Sequence, residues 1–63
     1  MIRVETKQGV VHYIRTKDVK EIIQTDHVTH IIVDGRSTDL WISESAKEFV
    51  ERMAEIEQNR NND

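Results

Sequence analysis

The chain has 63 residues, 33% of them charged, with 12 acids against 9 bases and neither cysteine nor proline. A chain this short forms a single domain that buries only about 60% of its unfolded surface, and without cysteine it has no disulfide staple or Cys/His zinc framework to reinforce a thin core. The net charge of −3 gives no support for non-specific nucleic-acid binding, which draws on a basic excess.

Ile2, Val4 and Thr6 alternate with Arg3 and Glu5, the period of a first strand. Lys7-Gln8-Gly9 has the form of a three-residue hairpin loop with glycine in the left-handed position of a bulge. A second strand is expected over residues 10–15, with Val10, His12 and Ile14 on one face and Val11, Tyr13 and Arg15 on the other. Residues 16–18 make a turn, and residues 19–24 (VKEIIQ) a short third strand. That stretch is brief for a helix, and its β-branched pair Ile22-Ile23 favours extension. Thr25-Asp26-His27 turns into a fourth strand over residues 28–33. Asp34-Gly35 matches a two-residue type I′ turn, in which both positions need φ > 0, leading to a fifth strand over residues 36–42.

Ser45 and Glu48 stand in capping-box register ahead of an amphipathic helix from Ala46 to about residue 57. Ala46, Phe49, Val50, Met53 and Ile56 recur at three and four and form one stripe facing the sheet. Lys47, Glu48, Glu51, Arg52 and Glu55 face outward, with Glu48 and Arg52 at helix-pair spacing. Residues 1–43 carry six acids and six bases, while residues 44–63 carry six acids and three bases. The acidity therefore sits on the helix and tail. The domain is expected to span residues 1–57, with residues 58–63, wholly polar, as a frayed tail.

A two-residue turn at Asp34-Gly35 would set Val33 against Arg36, His30 against Asp39 and Val28 against Trp41. Thr29, Ile31, Val33, Thr38, Leu40 and Ile42 would then share one face, and Val28, His30, Ile32, Asp39 and Trp41 the other. One helix covers only the first set. A sheet with apolar residues on both faces needs two covers, and a second copy of the chain is the simplest second cover. The expected fold is α+β: a strongly curved or barrel-like antiparallel meander of about five strands, closed by one C-terminal amphipathic helix, working as a homo-oligomer.

The pattern over about residues 1–56 resembles the flagellar FlbD family, small proteins also known as swarming motility protein D. The likeness rests on Met1-Ile2, Val4 and Gly9, on His12-Tyr13-Ile14, and on Asp18-Val19 followed by Ile22. It continues through Gly35 between two strands and Glu44-Ser45 opening a helix with Phe49, Val50 and Met53. Gln8-Gly9 stands where the family has Asn-Gly, Arg15-Thr16-Lys17 replaces its Asn-Pro step, and Thr25-Asp26-His27 replaces its Thr-Pro-Asp turn. The resemblance implies this fold and a non-enzymatic accessory role in motility.

His12, His27 and His30 are the only histidines, and His27 and His30 are three apart. A strand aims side chains to one face at i and i+2, so this spacing suits no metal and no metal site is expected. His30 and Asp39 are instead expected to bond across strands. Ser37, Ser43 and Ser45 fall in turn, strand-end and cap contexts, without a nucleophile motif. No catalytic residue and no cofactor are expected. A partner or ligand would meet Tyr13, Arg15, His30, Arg36 and Trp41, since Arg and His bind phosphate and Trp or Tyr can stack a base.

Two function classes follow. The first is a non-enzymatic, homo-oligomeric interaction or regulatory protein that binds through the face carrying Val28, Trp41 and Tyr13. The second is an oligomer that sequesters a small anionic nucleotide or metabolite between subunits, as phage anti-defence proteins of similar size do. No apolar stretch in the chain approaches the ~18 residues of a membrane span, and MIRVETK lacks the apolar core of a signal peptide. A cytoplasmic location is expected.

Overall fold

The computed structural model describes residues 1–61. Five strands and one helix follow in chain order: β1 Ile2–Glu5, β2 Val11–Ile14, β3 Val19–Gln24, β4 Thr29–Val33, β5 Leu40–Ile42 and α1 Ala46–Asn61. A single 3-10 turn, Thr16–Asp18, separates β2 from β3. The fold is α+β with antiparallel strands, as the alternation predicted. No described helix is long and apolar enough to cross a membrane.

The strands form two sheets, β1-β2 and β3-β4-β5. One antiparallel bridge, Thr6 with Ile42, and a hydrogen bond from Lys7 N–H to the Trp41 carbonyl (2.9 Å) join β1 to β5. The layer therefore runs β2-β1-β5-β4-β3, with β2 and β3 unpaired on their outer sides. The expected barrel-like closure does not occur, because the turn at Thr16–Asp18 interrupts the meander and β2 and β3 never pair.

The first hairpin is the one its residues specify. Gly9 N–H bonds the Thr6 carbonyl (2.9 Å) and Thr6 N–H bonds the Val10 carbonyl (2.8 Å), with Gly9 at φ +87°. This is a turn closed by a glycine bulge, and a side chain at Gly9 would be strained. The last hairpin differs from expectation. Gly35 has φ +84° but Asp34 is not left-handed, and Arg36 N–H bonds the Val33 carbonyl (3.2 Å). That combination is a type II turn, not type I′. Asp34 N–H also bonds the Asp18 carbonyl (2.7 Å), a tertiary contact that no local turn rule contains.

Residues 36–39 consequently loop out, β5 is only three residues long, and the register is Thr29–Ile42, His30–Trp41 and Ile31–Leu40. Relative to the expected pairs, Asp39 and Trp41 have moved by two positions. A shift of two keeps every side chain on its face, so the face assignment survives the register error.

The core consists of Ile2, Val4, Ile31, Val33, Leu40, Ile42 and Phe49, all buried. Burying such a side chain is worth about 1.5–3 kcal/mol. Phe49 is fully enclosed, and Met53 and Ile56 pack against the same core. Val50, expected on this stripe, is half exposed, because it lies one residue round the helix from Phe49 and the thin core does not reach it.

The helix is fastened along its length. Glu48 N–H bonds Ser45 Oγ (3.1 Å) and Ala46 N–H bonds Gln24 Oε1 (3.0 Å), satisfying two of the free N–H groups of its first turn. The Thr16 hydroxyl, on a buried residue, donates to the Glu57 carboxylate near the other end. Arg52, expected to face outward beside Glu48, instead grips Glu44 through two bonds (2.7 and 2.9 Å) and donates to the Arg3 carbonyl (2.9 Å). Its guanidinium also lies 5.6 Å from the Phe49 ring centre. The helix continues to Asn61, past the expected boundary near residue 57. Of the predicted tail, residues 62 and 63 lie outside the described residues.

Candidate interaction surface

Alternation along the strands puts Ile23, His30 and Trp41 in one row across β3, β4 and β5 on the face opposite the helix. Glu21 and Ile32 pair in the next row. Trp41 is 53% exposed and Ile23 39%. The face the helix leaves open thus carries two exposed apolar side chains, Ile23 and Trp41, on either side of His30, with Ile32 in the next row.

His30 organises the row. Its ring meets Trp41 edge-on, 5.1 Å between centres at 69°, and its Nδ1–H donates to Asp39 Oδ2 at 2.7 Å. The carboxylate can only accept, so the bond fixes the proton on Nδ1. Asp39 is a diagonal neighbour of His30, not its direct partner, because of the two-residue shift. The His30 hydrogen bond holds the Asp39 carboxyl below its ordinary value of 3.8, opposed by desolvation and assisted by its own backbone N–H and the Trp41 side chain. Ring, imidazole and carboxylate form one braced unit, and its bracing orients Trp41.

Beyond the Thr6–Ile42 bridge the two sheets part and leave a cleft of about 450 Å³, lined by Lys7, His12, Arg36, Thr38, Asp39 and Trp41 among others. The sequence residues therefore divide. Arg36 and Trp41 share this cleft, and His30 stands behind Trp41. Tyr13 and Arg15 lie elsewhere: Tyr13 pairs with Arg3 on the outer face of β2, 65% exposed, and Arg15 Nε bonds Asp18 Oδ2 at 2.9 Å beside the 3-10 turn. One copy of the chain does not bring all five together.

Lys7 and His12 were not among the expected binding residues. They reach the cleft only because β1 meets β5, a long-range pairing that local periodicity does not show. Ile23 reaches the open face because the register shifts between Val19 and Glu21, which leaves Val19 against the core and turns Glu21 and Ile23 outward. Among the described residues no three His, Asp or Glu side chains group as a metal site, and Ser45 Oγ accepts the Glu48 N–H as the helix cap. The chain has no match among protein families, curated proteins or solved structures.

Proposed function

We propose that this is a non-enzymatic interaction protein that works as a small homo-oligomer, with the outer sheet face as its contact surface. The observation that carries this is the uncovered row of Ile23, His30 and Trp41, in a fold whose single helix is committed to the other face. Exposed apolar side chains gathered in this way mark association sites, and a Trp oriented by its neighbours is the residue type that dominates interface energies. A second copy suits the face electrically. Around the row Glu21 and Asp39 are balanced by Lys7 and Arg36, so two copies meet without a net clash. The FlbD-like pattern is in keeping with such an accessory role.

Sedimentation velocity tests this. The wild-type chain is expected to sediment as an oligomer, Trp41→Ala to weaken association at least tenfold, and Arg36→Ala to leave it intact, because rim charges contribute little. A monomeric wild type, or an unchanged Trp41→Ala assembly, overturns the proposal.

The cleft favours a second reading, an oligomer that sequesters a small anion. Its volume of about 450 Å³ lies within the range of small-molecule sites, and Lys7, His12, Arg36 and Trp41 supply cationic groups and a stacking surface. Native mass spectrometry of protein purified from cells distinguishes the two. An extra small mass released on denaturation supports sequestration, and a bare oligomer supports the interaction reading.

A further inference from the structure

The layer has two free edges, and they are not alike. On β3, Thr25 N–H bonds the Val28 carbonyl (2.9 Å), which sets the ladder so that Ile22 and Gln24 turn their backbone groups to the open side. That edge is guarded. The register shifts between Val19 and Glu21, at the charged Lys20, and the Gln24 side chain is tied to the first turn of α1. Natural edge strands are blunted by bulges, charges or a cover of this sort.

β2 has none of these guards. Its four residues, VHYI, include no carboxylate, ammonium, guanidinium or proline, and its pairing with β1 is regular. The bond from Thr6 N–H to the Val10 carbonyl makes that the first hydrogen-bonded pair. By alternation Val4–His12 and Ile2–Ile14 exchange bonds, while Glu5–Val11 and Arg3–Tyr13 do not. The N–H and C=O groups of Val11 and Tyr13 therefore point away from β1, along an open edge. Their side chains are 40% and 65% exposed.

We infer that β2 is a pairing edge that takes β2 of a second copy, antiparallel about a two-fold axis at His12. Val11 of each copy then stands opposite Tyr13 of the other, in two hydrogen-bonded pairs. An aromatic side chain against a β-branched one is a favourable cross-strand pair, worth about 0.2–1 kcal/mol, and here the pair occurs twice. The edge carries no carboxylate, ammonium or guanidinium to set copy against copy, and that argues for self-pairing over capture of a charged peptide. Because the contact is isologous and the β3 edges are guarded, edge pairing by itself stops at two copies and does not build an endless sheet. The inference shares with the proposed function the premise that the chain self-associates, but it does not involve the Trp41 face.

The chain has no cysteine, so a single introduced thiol reports the geometry. On the axis, the two His12 positions form a non-hydrogen-bonded pair, with Cα atoms about 4.5 Å apart, close enough for a disulfide. His12→Cys is expected to form a disulfide-linked dimer under mild oxidation at micromolar concentration. Val10→Cys, half exposed but two residues off the axis, is expected to cross-link at least tenfold more slowly. Tyr13→Pro removes the outward N–H without touching the β1 ladder, a change that edge strands tolerate, and is expected to halve the sedimenting mass with unchanged circular dichroism. If Tyr13→Pro fails to fold, the cysteine comparison decides. A monomeric wild type overturns both the edge and the proposed function. An assembled wild type in which His12→Cys cross-links no faster than Val10→Cys overturns the edge alone.

Discussion

The two faces of this sheet are built from similar residues and meet different fates. On the inner face Ile2, Val4, Ile31, Val33, Leu40 and Ile42 are buried around Phe49, whereas on the outer face Ile23, Trp41 and Tyr13 remain open. Hydrophobicity alone does not separate them. The difference is the supply of cover: one helix, fastened by Gln24, Ser45, Arg52 and Thr16, closes one face. Folding stability and association are therefore housed on opposite sides of the same strands.

Substitution on each face breaks or sharpens that division. Phe49→Ala empties the centre of the inner face and is expected to cost about 3–5 kcal/mol, most of the roughly 3–9 kcal/mol that a domain of this size commands. Urea unfolding should find it largely unfolded. Ile23→Ala, on the open face, is expected to shift the same midpoint by less than about 1 kcal/mol while weakening self-association. Comparable losses of stability for the two variants would erase the distinction between the faces.

The smallest effect is expected from acid. Because the native Asp39 carboxyl titrates below its ordinary value of 3.8, the folded chain binds fewer protons there than the unfolded chain. The pair's contribution is complete above that ordinary value and is lost as pH falls through the lower native one. Asp39→Asn should flatten this part of the pH dependence of the urea midpoint between neutral and strongly acidic conditions. A profile identical to the wild type would show that the His30–Asp39 bond orients Trp41 without stabilising the fold.

Elements whose causes are local were legible. Lys7-Gln8-Gly9 is the bulged loop its glycine demands, VKEIIQ is the third strand, and Ser45 caps the helix. The departures at the last turn and at Arg52 come from partners outside the local sequence pattern. Asp34-Gly35 departs from the expected type I′ form, and the bond from Asp34 N–H to the Asp18 carbonyl lies outside any local turn rule. Arg52 turns inward because its partners, Glu44 and the Arg3 carbonyl, are not at helix spacing. The candidate site was half legible. Periodicity found the face of His30 and Trp41, but only the β1–β5 contact shows that Arg36 joins them and that Tyr13 and Arg15 do not.

The same Arg52 has a consequence for the order in which the chain matures. It connects positions separated by 49 residues, so the first strand completes its environment only after the helix has been made. Contacts of such sequence separation slow the approach to the native state, since a long loop must close before it yields any reward. During synthesis the nascent strands emerge first, with their apolar inner face bare, and wait for the helix that covers it. The helix, made after every strand it covers, is the element that commits the sheet to its native form.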